Sequence, residues 1–158
     1  MYLYIKQRVF SFGDKFHVYD ESGAEKYYVE GEVFSFGKKL HLFDATEKRL
    51  ADINQKVFSF PQRYYVTTCE NRSFEIIKHF TFLRHVYEVN PFGWIVHGDF
   101  YNHSYEVSNE EEIIIQVQKQ WFTFGDAYQI YIKDGVDITS ALSVVLVIDA
   151  CVEQENNN

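Results

Sequence analysis

Histidines, basic clusters and one acidic run are the residues of this chain that could do chemistry. The six histidines, His17, His41, His79, His85, His97 and His103, invite a metal site. None stands in the HxH or HExxH spacing that brings two imidazoles onto one ion. His17 and His41 fall at equivalent positions of a repeat described below, which suits a structural place on a strand face. Lys78, His79, Arg84 and His85 flank a predicted hairpin at Phe80–Leu83, with few acids nearby. Two readings stand for them: an anion or lipid-headgroup contact, and a solvated hairpin tip. Lys38-Lys39 and Lys48-Arg49 are weaker candidates of the same kind. Glu110-Glu111-Glu112 offers a carboxylate for acid–base work, but no partner is visible, and such a run at a strand entry suits a solvated loop. No serine has a GxSxG setting, and no glycine-rich phosphate loop occurs. No catalytic residue, metal ligand or cofactor site is assigned from the sequence, which leads to the expectation of a protein that is not an enzyme.

Composition narrows the classes further. The 158 residues carry a net charge of −8, whereas a nucleic-acid binder concentrates Lys and Arg to neutralise phosphates, so no nucleic-acid partner is expected. Cys69 and Cys151 lie far apart and outside any CxxC or Cys/His pattern, which argues against a disulfide framework or a structural zinc. The N-terminus shows no secretory pattern, and the longest apolar stretch, near Ala141–Ile148, is much too short to span a bilayer. The expected setting is the cytoplasm, without a transmembrane segment.

The elements that must position these residues come from a repeat. Val9-Phe10-Ser11-Phe12-Gly13 recurs as Val33-Phe34-Ser35-Phe36-Gly37 and as Val57-Phe58-Ser59-Phe60-Pro61, 24 residues apart each time. The residues that follow also match: Phe16-His17-Val18-Tyr19, Leu40-His41-Leu42-Phe43 and Tyr64-Tyr65-Val66-Thr67. A late copy is Trp121-Phe122-Thr123-Phe124-Gly125-Asp126, and Phe80-Thr81-Phe82 is a degraded one, with Leu83-Arg84 at its turn. Phenylalanines two apart share one face of a strand, so each copy reads as a hairpin. Gly13-Asp14 and Gly125-Asp126 would supply the positive φ of a tight turn, and Pro61 suits the second position of a type I turn instead. The outcome is a mainly β chain of roughly twelve strands, near 2–10, 15–20, 25–34, 38–44, 49–58, 63–69, 72–82, 85–90, 93–99, 103–108, 111–122 and 127–133. A meander of that length must close into a barrel or leave edges exposed.

Residues 137–152 break the alternation. Asp137 is a candidate N-cap, and apolar residues then fall on every side of a helical projection. A helix apolar all round is one buried all round. A barrel of about twelve strands has a lumen wide enough for a helix about 10 Å across. Ile138, Leu142, Val145, Leu146, Ile148 and Val152 are therefore read as a structural plug. The alternative is a further buried strand, which would leave the lumen open to a ligand. Residues 1–153 then form a single domain, followed by a polar tail at 154–158.

The repeated VFSFG-type hairpins, the Tyr/Phe-rich meander and the terminal DITSALSVVLVIDA segment resemble the LURP-one-related family, and in particular its bacterial branch of short, stand-alone proteins. The resemblance covers nearly the whole chain. It implies the tubby C-terminal-like fold, a twelve-stranded barrel around a hydrophobic helix. It also implies distant kinship with phospholipid scramblases and with tubby domains, which bind phosphoinositides. No residue-level lipid motif of tubby aligns here. Two functional expectations stand: a non-catalytic binding or scaffold barrel of unassigned ligand, or a peripheral membrane protein that binds phosphoinositide or other anionic lipid; a protein or an anionic lipid is the partner to be considered. No cofactor is expected.

Overall fold

A computed structural model of the chain describes residues 1–6, 15–32, 35–81, 84–110, 112–122 and 125–158, the side chains of residues 121–126 excepted. Twelve strands precede one helix: β1 (Tyr2–Lys6), β2 (Phe16–Tyr19), β3 (Glu25–Gly31), β4 (Lys39–Asp44), β5 (Arg49–Gln55), β6 (Gln62–Thr68), β7 (Ser73–Phe80), β8 (His85–Asn90), β9 (Trp94–Asp99), β10 (Ser104–Asn109), β11 (Glu112–Phe122), β12 (Gly125–Ile132) and α1 (Ile138–Asn156). Each strand pairs antiparallel with its chain neighbours, and β12 closes on β1 with Tyr2 opposite Tyr131 and Lys6 opposite Ala127. The expected closed barrel is present, without sheet edges to protect.

The 24-residue repeat sets the lumen. Phe16, Leu40 and Tyr64 point inward from β2, β4 and β6, and Tyr87, Tyr105 and Tyr128 continue the ring from β8, β10 and β12; all six are buried. Two residues on, Val18, Leu42, Val66, Val89, Val107 and Ile130 form a second layer, also buried. Strand alternation keeps their neighbours outside.

Helix α1 fills this lumen, and every residue from Ser140 to Val152 is buried. Asp137 caps it as expected, accepting a hydrogen bond from the Ser140 backbone N–H at 2.8 Å. The plug residues Leu142, Val145, Leu146, Ile148 and Val152 lie in the core, with Ile138 half-buried at the entry. Five to six apolar side chains of this kind contribute roughly 1.5–3 kcal/mol each. The open-lumen alternative is thereby excluded. The helix also continues to Asn156, through residues read from sequence as tail.

The turns at the two barrel ends differ in kind. At the end where α1 begins, the repeat supplies side-chain-capped turns. Asp20 accepts from the Ser22 hydroxyl (2.6 Å) and from the Ser22 and Ala24 N–H groups, and Asp44 accepts likewise from Thr46 and Lys48. At the other end lie the VFSF segments, and here the strand reading is corrected. Strands β3 and β5 end at Gly31 and Gln55, before the motifs, so Phe36, Phe58 and Phe60 stand in connections rather than on strand faces. The cause is local: the Ser35 and Ser59 hydroxyls donate to the carbonyls of Gly37 (2.6 Å) and Pro61 (2.8 Å), closing a tight local turn over each Ser-Phe step. Gly37 has a positive φ of 85°, whereas the Phe60–Pro61 bond is cis, outside the type I turn expected there. Gly125 and Asp126, read from sequence as a turn, instead open β12 with Gly125 opposite Phe122. Residues 123–124 that connect the two strands, the first copy (7–14), Phe82 and Leu83 lie outside the described residues.

Candidate functional site

Six strand pairs are joined at the barrel end where α1 finishes, and in sequence the joining segments are residues 7–15, 32–38, 56–61, 81–84, 100–103 and 123–124. In sequence they hold nine of the chain's 15 phenylalanines, against Phe92 alone in the connections of the opposite end. Among the described residues, Phe36 is 76% exposed, Phe58 94% and Phe60 93%, with Phe80 at 74% where β7 ends. Phe36 and Phe58 meet across neighbouring connections, ring centroids 5.9 Å apart, and Phe80 packs edge-on against His85. Tyr101, half exposed, extends the series into the next connection. Scattered surface Phe residues need no explanation, but four on three consecutive hairpins of one barrel end do.

Inside this aromatic rim the barrel is closed by polar groups. The last turn of α1 carries Glu153, Gln154 and Glu155 at the negative end of the helix dipole, which disfavours acids there. Buried lysines from the wall compensate: Lys38 pairs with Glu153, and Lys78 pairs with Glu155. Gln154 accepts from Gln62 (2.8 Å) and donates to Gln55 (3.0 Å), while the Tyr101 hydroxyl donates to Glu155 at 2.6 Å. Burial pushes the Glu155 carboxyl up, but the bonds from Lys78 and Tyr101 outweigh it and hold it below the usual carboxylate range. One ring inward, burial pushes the Cys151 thiol up to about 11, so it is an inert core group.

The four basic candidates do not form one patch. Lys78 faces the lumen, 7% exposed and committed to Glu155, so it cannot meet a solvent anion. Its neighbour His79 faces outward and pairs with Glu88 at 2.8 Å. His85 is half-buried against Phe80. Arg84 alone is exposed with no side-chain partner among the described residues, and Lys56, beside Phe58, shares that state. The weaker candidates divide likewise: Lys38 is buried, Lys39 lies 3.7 Å from Glu32, and Arg49 pairs with Asp52. His41 sits on the outer wall between Asp52 (2.6 Å) and Glu32 (2.8 Å), a strand-face arrangement. Glu112 pairs with Lys133, while Glu111 lies outside the described residues. Among the described residues no group of three His, Cys, Asp or Glu side chains is arranged to hold a metal ion.

Charge sorts the same way. The six connections at the aromatic end carry five basic residues (Arg8, Lys15, Lys38, Lys56, Arg84) against two acids (Asp14, Glu32). Those at the opposite end carry three (Lys48, Arg72, Lys133) against eight acids (Asp20, Glu21, Glu47, Glu70, Glu110, Glu111, Asp134, Asp137). In sequence the connections of the aromatic end are thus net basic in an acidic chain, although Lys38 among them is buried against Glu153 and Lys15 pairs with Glu30.

Comparison with known proteins bears on the frame that carries this rim. The LURP-one-related family model matches residues 1–149. The chain belongs to the LURP-one-related family. It is 31% identical over 147 residues to the uncharacterized protein YxjI of Bacillus subtilis (strain 168), covering 93% of this chain and 91% of that one. The X-ray structure of an Arabidopsis thaliana protein superposes with a TM-score of 0.68 at 16% identity, over 95% of this chain and 90% of that one. That likeness concerns the barrel fold alone. Sequence reasoning missed the rim of this LURP-one-related barrel because Phe residues two apart are the ordinary sign of a buried strand face. The overlooked signal was the serine between them, followed by Gly or Pro.

Proposed function

We propose that this protein is a non-catalytic binding barrel that docks by its aromatic end onto the surface of a lipid bilayer. The observation that carries the reading is the set of four exposed phenylalanines on three consecutive hairpins, two of whose connections carry an exposed cation, Lys56 and Arg84. The filled lumen leaves the outer surface and loops as the binding surface. Aromatic tips on separate hairpins suit a soft interface that moulds around each one, and Lys56 and Arg84, exposed and without a side-chain partner among the described residues, suit lipid phosphates. With a net charge of −8 the whole chain is repelled by an anionic leaflet, so apolar insertion leads and the basic tips orient. Anionic lipids, phosphoinositides among them, are the favoured class. Of the basic cluster read from sequence, Arg84 is retained and Lys78 is not. A protein partner, including a second copy of the chain, is the competing occupant.

Sedimentation with vesicles tests this. Binding to phosphatidylcholine vesicles is expected to strengthen when phosphatidylserine is added. The double substitution Phe58→Ser/Phe60→Ser is expected to weaken it by a hundredfold or more, since two Phe side chains each contribute roughly 1.5–3 kcal/mol on leaving water. Thermal unfolding should stay unchanged, both side chains being exposed. Lys56→Glu/Arg84→Glu should remove the phosphatidylserine enhancement alone. No sedimentation with either vesicle would overturn the reading, and a dimer abolished by the Phe substitutions would replace it with self-association.

A further inference from the structure

The opposite end of the barrel holds a cavity of about 670 Å³ beside the start of α1, within the size range of small-molecule sites. Its floor is apolar and aromatic. Phe92 and Trp94 lie with ring centroids 4.8 Å apart, backed by buried Phe74 at 4.9 Å from Phe92, with Val136 beside them. Both rings are only half-buried, so each leaves part of its surface to the cavity.

The charged groups around this floor are unevenly committed. Arg72 lies between Asp137 (3.4 Å) and Glu70 (3.5 Å), and Lys133 pairs with Glu112. Both cations of the wall are thus engaged. At the α1 N-terminus the Asp137 carboxylate already accepts from the Ser140 N–H. Asp134 is different: its carboxylate is fully exposed, and the nearest cation is the Met1 amine at 3.9 Å. Among the described residues both cations that line the cavity are paired, and three carboxylates, Glu112, Asp134 and Asp137, line it with them. A cation with an apolar stem would find an aromatic face for the stem and a carboxylate for the charge.

We infer that this cavity binds an alkylammonium group, its carbon chain against Trp94 and Phe92 and its charge at Asp134. The group can come from a free amine or from the lysine side chain of a peptide. This inference is independent of the bilayer reading, since it concerns the other end of the barrel.

Backbone amide shifts of the full chain, titrated with propylamine, N-acetyl-lysine methylamide and propionate at neutral pH, provide the test. Saturable shifts are expected at Gly135, Val136 and Ser140 with an ammonium probe and not with propionate. Equal affinity for the two amines would assign the site to a free amine, and preference for the lysine derivative to a peptide side chain. Trp94→Leu and Asp134→Asn should each weaken binding about fivefold, while Trp94→Phe should retain most of it. Circular dichroism of each variant separates lost binding from lost folding. Shifts by propionate at the same amides, no saturable shift with either amine, or full binding by a folded Trp94→Leu would each overturn the inference.

Discussion

At the end where the helix finishes, the hairpins present Phe36, Phe58, Phe60 and Phe80 to solvent around a plug of buried lysine–glutamate pairs. At the end where it begins, Asp20 and Asp44 tie down polar turns, and the exposed surface is acidic around an aromatic-floored cavity. Both ends belong to one repeat and serve one helix, so barrel stability does not explain the contrast. The turns at the acidic end satisfy their own hydrogen bonds with short side chains. Those at the aromatic end leave large apolar groups in water, an arrangement that costs solubility and returns nothing to the core. Hydrophobic groups displayed at a cost to the free protein mark a surface that is covered in use.

The comparison can be broken most severely by removing its common support. Truncation after Val136 deletes the filling and is expected to give an insoluble or molten product; a folded product with a cooperative melt would show that the wall stands alone. A smaller effect separates the ends. Lys78→Met strands Glu155 beneath the aromatic rim and should cost about 2–3 kcal/mol in chemical denaturation, as removal of one member of a largely buried pair does. Arg72→Ala at the acidic end, where the guanidinium is 44% exposed, should cost no more than about 1 kcal/mol. Equal losses would mean that the two closures are equivalent.

Acid provides the smallest of these effects. The Ser22 hydroxyl and the N–H groups of Ser22 and Ala24 lower Asp20 to about 2, the Thr46 hydroxyl lowers Asp44, and the Lys78 and Tyr101 bonds keep Glu155 low against its burial. Folded values below unfolded ones mean stability that is present above the unfolded carboxylate value of about 4 and lost as pH falls through the folded values. The midpoint of urea unfolding should therefore be flat from neutral pH down to roughly pH 5 and decline below it. Carboxyl carbon shifts should show Asp20 titrating near pH 2; ordinary titration of Asp20 would remove its turn from the account.

The barrel and its plug were legible in the sequence because each rests on a periodicity. Inward residues at 16, 40 and 64 recur every 24 residues, and the run after Asp137 is apolar on every helical face. The aromatic rim was not legible, because alternation alone assigns Phe34 and Phe36 to a strand, while the strand ends at Gly31. What decides this is a Ser35 hydroxyl bond, which hydrophobic alternation does not encode. Lys78 was misplaced for a similar reason. Beside His79 it reads as part of a surface pair, whereas strand parity turns it inward, and its partner Glu155 lies 77 residues away. The last residues of the helix looked like a free tail until the lumen gave them partners.

Labelling by a polarity-sensitive fluorophore at single thiols tests the docking claim most directly. Exposed Cys69 lies at the acidic end, Cys151 is buried, and Lys56→Cys with Cys69→Ser moves the reactive thiol beside Phe58. On addition of phosphatidylserine-containing vesicles, the label at position 56 should shift to the blue and become shielded from an aqueous quencher, while the label on Cys69 should remain unchanged. A shift at Cys69 with none at position 56, or no change at either, would contradict the account.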